Sequence, residues 1–232
     1  MPDPIHLQPT APLAERVLLP GDPGRALLLA QTLLDEPKMF NHNRGLWGYT
    51  GVAADGERLT IQSTGMGGPS AAIVVEELAS LGARVLLRVG TCGALDESLA
   101  LGELLVVTEA LSTDGTSRAL GAGERVSAAR ELVDALLAAG GDRVRAVTVA
   151  STDLFYDGAG DREKRWRAAG ALAVEMESAT LFAVAARRGL TAAALLIVTD
   201  LVVPRRVRID LEQLRACERQ MGEVAARALS AS

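Results

Sequence analysis

The chain has 232 residues, of which 49% are hydrophobic and 23% are charged, and its formal net charge is −5. This length suits one large α/β domain spanning 1–232 and is sufficient for a complete core. The longest apolar run, near 190–199, is far shorter than the ~18 residues of a membrane span, and no basic run mixed with aromatic residues indicates nucleic-acid binding. We therefore expect a soluble protein.

Cysteine and histidine are too few for a disulfide framework or a zinc pattern, since the chain has only Cys92, Cys217, His6 and His42. The opening stretch, "MPDPIHLQPTAP", lacks the basic segment and the apolar run of a secretory signal. We expect a cytoplasmic protein without a structural metal. Cys92 is interpreted as a packing residue and not as a nucleophile, because neither histidine is near it in sequence.

Short apolar segments alternate with amphipathic ones along most of the chain. Strands are predicted at 15–21, 58–64, 83–90, 102–111, 144–151, 171–178 and 192–200. Helices are predicted from Arg25 to about Leu34 and at 70–81, 128–139, 178–188 and 210–229. This alternation favours a largely parallel sheet covered by helices. The glycine-rich "STDGTSRALGAGER" (112–125) is predicted to be the longest loop.

The first predicted strand ends in a turn that resembles an anion site. In "LLPGDPGR" (18–25), a Gly-Asp-Pro-Gly turn delivers Arg25 at the start of a helix. Free amide groups and the helix dipole attract anions there, so Gly21 and Arg25 are candidate phosphate ligands. Turn chemistry alone would also explain Gly21 and Gly24.

The segment "GMGGPSAA" (65–72) follows a strand and opens a helix, which is a pattern found in dinucleotide-binding sites. Two features oppose that interpretation. Ser70 occupies the place of the third glycine, and the next strand carries Arg88 where a ribose-binding acid is expected.

Arg88 stands inside the apolar run of "LLRVGTCGA" (86–94). Burying an unpaired charge costs several kcal/mol, so the guanidinium needs an anionic partner. One alternative is a structural ion pair with a core carboxylate such as Glu175. The other is a bound phosphate, which the Thr91 hydroxyl and the amide groups of the glycine turn would also contact.

Two later strands end in acidic residues. In "AVEMESATLF" (173–182), Glu175 and Glu177 would share one side of a continuing strand, where carboxylates can hold a vicinal diol such as that of ribose. Alternatively, Glu177 or Ser178 stabilises the first turn of the following helix. In "LLIVTD" (195–200), Asp200 is either a helix cap or a catalytic acid.

Taken together, six ordered segments resemble the type I nucleoside phosphorylases, which include hexameric purine nucleoside phosphorylases and uridine phosphorylases. They are "VLLPGDPGR", "NRGLWGYTG", "STGMGGPSAAIVVEEL", "LLRVGTCGA", "STDLFY" and "VEMESATLF". The resemblance implies an α/β fold with three layers (α/β/α) and a mixed, partly barrel-like central sheet. It also implies reversible phosphorolysis, with inorganic phosphate as co-substrate and no other cofactor, in a homohexamer arranged as a trimer of dimers.

The resemblance assigns roles by position. The implied phosphate ligands are Gly21, Arg25, Arg44, Arg88 and Thr91. The implied nucleoside contacts are His6, Phe155, Val174, Glu175, Met176, Glu177 and Thr199. Glu177 would hold the 2′ and 3′ hydroxyls, and Phe155 would pack on the base. The neighbouring subunit would contribute His6 and Arg44, and Asp200 and Arg88 would be the catalytic residues.

The same comparison favours a purine over a pyrimidine. Uridine phosphorylases read the base with a glutamine and an arginine after the "FY" pair, but here Ala159 stands near the glutamine's place. Similar purine phosphorylases carry an Asp at the position of Asp200, where a protonated carboxyl neutralises the leaving base at N7. A pyrimidine has no N7. Candidates for an arginine that assists Asp200 are Arg205, Arg206, Arg208 and Arg215.

Three alternatives remain. A uridine phosphorylase would share the motifs around "GMGGPS". A nucleosidase of the same superfamily would use water and need no phosphate site, which the three arginines Arg25, Arg44 and Arg88 oppose. A binding protein without turnover would have lost site residues that this chain retains.

Overall fold

The central strands carry apolar residues on both faces, which requires a helical layer on each side of the sheet. A computed structural model of the chain describes residues 4–156, 161–202 and 206–231. Along the last long strand, Leu196 and Val198 face one buried cluster, whereas Leu195 and Ile197 face the other. This alternation, with the period of two that strands have, places a hydrophobic core on each face.

The described residues form eleven strands. In chain order they are β1 (Arg16–Leu19), β2 (Asp35–Asn41), β3 (Gly48–Val52), β4 (Arg58–Gln62), β5 (Val85–Ala94), β6 (Leu104–Ser112), β7 (Arg125–Ser127), β8 (Val144–Ser151), β9 (Ala173–Glu175), β10 (Thr191–Leu201) and β11 (Val207–Arg208).

The described part of the chain also forms seven α-helices: α1 (Pro23–Leu33), α2 (Gly68–Leu81), α3 (Gly115–Ala119), α4 (Arg130–Gly140), α5 (Arg162–Ala168), α6 (Ser178–Arg188) and α7 (Leu211–Ser230). Helices α1, α4 and α7 pack on one face of the sheet, and α2, α3 and α6 pack on the other. Among these helices, none is long and apolar enough to cross a membrane.

The sheet is mixed, and part of it closes on itself. Strand β10 pairs in parallel with β5 and antiparallel with β6, β6 pairs with β8, and β9 joins β8 to β5. These five strands therefore form a closed ring, from which β1, β4, β3 and β2 extend as an open sheet. The predicted three-layer fold with a partly barrel-like sheet is confirmed, whereas the largely parallel sheet that the alternation alone favoured is wrong.

Several elements differ from the prediction, and β3, β7, β11 and α5 were not predicted at all. Strand β2 was not predicted, because its sequence is polar and contains Pro37; it lies at the edge of the sheet, where a missing N–H is tolerated. Segment 112–125 is not one long loop, since Asp114 accepts a hydrogen bond from the Ser117 N–H and starts α3. The strand predicted at 171–178 is reduced to β9, because the chain turns there into α6.

Candidate active site

The carboxyl ends of several strands surround a cavity of about 680 Å³. It brings together most of the residues singled out in the sequence: Gly21, Arg25, Arg88, Thr91, Phe155, Val174, Glu175, Met176, Glu177, Thr199 and Asp200. These residues come from β5, β9 and β10 and from the segments that follow β1, β8 and β9. The ring closure explains this convergence, because it directs distant strand ends toward one opening.

Arg88 contacts two carboxylates and lines the cavity. Its Nε is 3.1 Å from Glu175 Oε2, and its Nη2 is 2.5 Å from Glu177 Oε2. All three side chains are buried. The ion pair with Glu175, one of the two alternatives from the sequence, is therefore present. Since Arg88 also lines the cavity, the pair does not remove it from the candidate site.

Gly90 explains how a long side chain fits inside a buried strand. A Cβ atom at this position would stand 2.7 Å from the Arg88 Cζ atom. The absent side chain leaves room for the guanidinium to fold back along its own strand toward the two glutamates. The strand was predicted to end at Gly90 in a glycine turn, whereas in the structure β5 continues to Ala94 and this turn is absent.

The two glutamates act differently at the start of α6. Glu175 accepts hydrogen bonds from the N–H groups of Glu177 and Ser178, at 3.0 and 2.9 Å, so Glu175 caps the helix. Glu177 instead accepts from the Gly67 N–H at 2.5 Å and pairs with Arg88. Glu177 occupies the N-cap position of α6, but its own side chain makes no capping hydrogen bond, and the Ser178 hydroxyl has no partner among the described residues. Glu177 is left facing the cavity with the backbone of the "GMGG" turn beside it.

The start of α1 differs from the predicted anion site. Asp22 accepts hydrogen bonds from the N–H groups of Gly24 and Arg25, at 3.0 and 3.2 Å. These amide groups are thus already occupied by a carboxylate of the chain itself. Gly21 and the Arg25 side chain still line the cavity, so the guanidinium, and not the helix terminus, is the group available to an anion.

Asp200 lies at an irregularity of β10. The pairing register between β10 and β5 shifts between Val198 and Asp200, which leaves Thr199 as the extra residue of a bulge. The Thr199 hydroxyl donates to Asp200 Oδ2 at 3.0 Å, so the acid is oriented by its neighbour. Asp200 lies within β10 and caps no helix, so the helix-cap alternative is wrong.

Two arginines of the following segment reach Asp200. The Nε atoms of Arg206 and Arg208 lie 3.1 and 3.3 Å from Asp200 Oδ1. The Arg206 Cζ atom also lies 4.8 Å from the centre of the Phe155 ring, a cation–π distance. Of the other candidates, Arg215 lies on α7 beside a separate shallow depression, and Arg205 falls outside the described residues. Ala159 falls outside them as well.

Cys92 also lines the cavity, but its environment does not activate a thiol. Burial raises the pKa of Cys92, and its Sγ lies 3.5 Å from the Ile197 carbonyl oxygen. A nucleophilic cysteine needs a lowered pKa. The packing interpretation therefore agrees with the geometry. Within the described ranges, no cluster of three or more His, Cys, Asp and Glu residues could hold a metal ion.

His6 and Arg44 do not line the cavity of their own chain. The Nδ1 atom of His6 is 2.7 Å from Glu77 Oε1, on α2. Arg44 is exposed in a short 3-10 turn and adopts a positive φ of 58°. Arg44 is exposed and His6 is partly buried, and neither contributes to the cavity of this chain.

Sequence reasoning missed several cavity residues. Asp22 and Met66 lie inside segments that were already singled out, and the Asp-Pro pair before α1 is a recognisable cap signal. Arg162, Glu163 and Trp166 come from α5, for which no periodic apolar pattern was available. Their contribution depends on how α5 is placed beside β9, which local sequence does not encode.

The five-strand ring between two helical layers, with a charged cavity at the strand ends, is the architecture of the nucleoside phosphorylase fold. The chain belongs to the phosphorylase superfamily, whose family model matches residues 15–232.

Proteins that are similar to this chain over most of its length are described more specifically than by the superfamily. The chain is 39% identical over 198 residues to a protein of Alkaliphilus metalliredigens, covering 82% of this chain and 84% of the relative. It is 38% identical over 205 residues to one of Clostridium beijerinckii, with coverage of 84% and 85%. It is 36% identical over 218 residues to one of Geobacillus kaustophilus, with coverage of 91% and 89%. All three are described as DeoD-type purine nucleoside phosphorylases.

The environment of Glu177 generates a test of stability. Burial raises the pKa of Glu177, Arg88 acts in the opposite direction, and the Glu175 carboxylate adds to the rise. Because the pKa is higher in the folded state, this group favours folding most below its unfolded pKa and less as the pH rises through the folded pKa. Glu177→Gln should therefore raise Tm at pH 8 by about 2 °C or more, and the gain should vanish near pH 4.

Differential scanning fluorimetry across this pH range measures the effect. Glu97→Gln, an exposed substitution of the same type, is the control and should leave Tm unchanged. A Glu177→Gln protein less stable than the wild type at pH 8 would show that the ionised carboxylate contributes net stability through Arg88.

Proposed function

We propose that this chain is a purine nucleoside phosphorylase, which cleaves purine ribonucleosides or deoxyribonucleosides with inorganic phosphate. The observation that carries the proposal is a single cavity lined by Arg25, Arg88 and Thr91 and also by Phe155 and Asp200, of which the last two are both contacted by Arg206. Guanidinium and hydroxyl donors suit phosphate, and an aromatic ring near an acid suits a base that must accept a proton.

Phosphate binds at the end of the cavity near β5. The Arg88 guanidinium offers the charge and planar donors that favour oxyanions, and the Thr91 hydroxyl and the backbone near Gly21 add further donors. Glu177 stands beside Arg88 and holds the two ribose hydroxyls, so the sugar lies directly over the phosphate. The base then extends toward Phe155, with Val174 and Met176 along its path.

The reaction breaks the bond between C1′ of the sugar and N9 of the purine. The electron pair stays with the base, and positive charge develops on the sugar as in glycoside hydrolysis. A phosphate oxygen forms the new bond to C1′ and gives pentose 1-phosphate. Asp200 supplies a proton to N7, which leaves the base neutral, and regains a proton from solvent before the next turnover. Thr199 keeps the Asp200 carboxyl oriented toward the base.

The purine assignment is favoured over uridine by two findings. Relatives that cover most of the chain are described as purine nucleoside phosphorylases. An acid at the base end has a purpose for a purine, whose N7 accepts the proton. Hydrolysis by water is disfavoured because it would make no use of the guanidinium donors of Arg25 and Arg88, which both line the cavity.

Base release from inosine, adenosine, guanosine and uridine, each with and without phosphate, tests the proposal. Phosphate-dependent release from the purine nucleosides is expected, because attack requires the anion at Arg88. Comparison of the three purines would also establish which 6-substituent the site accepts. Equal rates without phosphate would indicate a nucleosidase, and preference for uridine would indicate a pyrimidine enzyme.

Asp200→Asn separates the acid role from simple binding. We expect kcat/KM for inosine to fall by about 10² or more, because the amide cannot protonate N7. Cleavage of 7-methylguanosine should be nearly unchanged, since its base already carries positive charge and leaves without a proton. Steady-state assays of both substrates measure the difference. An equal loss on both would deny the acid role.

His6 and Arg44 enter the proposal through a second subunit. Their distance from the cavity of their own chain supports a shared site, in which Arg44 of one subunit contacts the phosphate of the other. The assembly is then at least a dimer, and a trimer of dimers satisfies the same pairing.

Mixed oligomers test this sharing. Arg44→Ala and Arg88→Ala proteins should each be nearly inactive alone. Random re-association should restore about a quarter of the wild-type activity, because half of the dimers are mixed and each mixed dimer has one intact site. Release of base after co-refolding, or after co-expression with two tags, measures the recovery. No recovery from verified mixed oligomers would place Arg44 outside the site.

A further inference from the structure

Glu218 is a buried carboxylate that the proposed reaction does not use. It lies on α7, 193 residues from Arg25 in sequence, and its Oε1 atom is 2.7 Å from the Arg25 Nε. Glu218 and Arg25 are 7% and 8% exposed. Arg25 lines the cavity, whereas Glu218 does not. Glu218 is therefore behind the arginine and out of reach of a substrate.

A second contact restrains the same guanidinium from β5. The Arg25 Nη1 atom donates to the Val89 carbonyl oxygen at 3.5 Å, which is a long hydrogen bond. Two anchors from separate elements thus hold two of the three guanidinium nitrogens. The Arg25 Nη2 atom and the remaining N–H groups can therefore point into the cavity. Arg88, which lies next to Val89 on β5, lines the same cavity.

The position of Glu218 on α7 is unfavourable for stability alone. The other buried residues of this helix, within the described part of the chain, are apolar: Met221, Gly222, Val224, Ala225, Ala228 and Leu229. Replacing a buried ion pair by apolar residues of similar volume is often neutral or stabilising. Glu218 also offsets the positive charge of Arg25 and so weakens its attraction for an anion. These two disadvantages suggest that the orientation of Arg25 is what Glu218 provides.

We propose that Glu218 is a positioning residue for phosphate, which holds the Arg25 guanidinium with its free N–H groups directed at the anion. This inference rests on the proposed function, in which Arg25 binds phosphate. It makes the last helix of the chain part of the phosphate site, although no atom of that helix touches the anion. Electrostatics alone gives the opposite expectation, since loss of the carboxylate would strengthen the attraction between Arg25 and phosphate.

Substitution of Glu218 distinguishes its orientation of Arg25 from its electrostatic weakening of the attraction between Arg25 and phosphate. Glu218→Ala should raise KM for phosphate about tenfold, because a released guanidinium spends less time in the binding geometry. Glu218→Gln should raise it less, since the amide oxygen still accepts the Nε hydrogen bond. KM for the nucleoside should stay within about twofold in both. The control is Glu223→Gln, an exposed carboxylate of the same helix, which should change neither constant.

Binding without turnover gives a second measurement. Inorganic phosphate should raise Tm of the wild type, and this rise should shrink in Glu218→Ala and Glu218→Gln. Should both variants fold poorly, Glu218→Asp replaces them, since it keeps the negative charge but shortens the reach to the Arg25 Nε. This variant should also raise the phosphate KM, because the charge is retained and only the positioning of Arg25 is lost.

The outcomes separate this inference from the proposed function. Absence of phosphate-dependent base release by the wild type would overturn the function. Normal release by the wild type, with an unchanged or lowered phosphate KM in Glu218→Gln and Glu218→Ala, would overturn only the role of Glu218. An unchanged phosphate KM in a well-folded Glu218→Asp protein would do so as well.

Discussion

The contact of the Arg88 guanidinium with Glu175 and Glu177 is the interaction around which the site is arranged. A charge inside a strand is tolerated only with counter-charges, and these come from a single turn between β9 and α6. One carboxylate then caps α6 and the other faces the cavity. The same cluster therefore stabilises the start of a helix and leaves a charged pair lining the cavity. The raised pKa of Glu177 is a consequence of this burial.

Ring closure of the sheet decides which strand ends meet. Because β10 pairs with both β5 and β6, the residue pair Thr199–Asp200 is brought beside the end of β5. The bulge at this point shifts Asp200 relative to the strand register. Strand β11 then returns antiparallel and sets Arg208 opposite Asp200. Asp200 and Arg208 are thus fixed by backbone pairing, while the positions of Arg25 and Arg88 depend on side-chain contacts with their glutamates.

The sequence predicted the strand ends well because each signal there is local. An apolar run that stops at a glycine, an arginine inside such a run, and paired acids before a helix can all be read within ten residues. The helix cap by Asp22 was equally local and was overlooked. The pairing of Glu218 with Arg25, the placement of α5, and the edge strand β2 depend on contacts between distant or polar segments. Periodicity contains no information about those contacts, so they required the structure.

The most direct test of the account is the identity of the sugar product. Phosphorus-31 NMR distinguishes phosphorolysis from hydrolysis in a mixture of the protein, inorganic phosphate and a purine nucleoside, with about one equivalent of each. The account predicts a new phosphomonoester signal, pentose 1-phosphate, that grows in proportion to the free base released. Release of base with the phosphate signal unchanged would mean that water attacks the sugar, and it would contradict the assignment of Arg25 and Arg88 to the nucleophile.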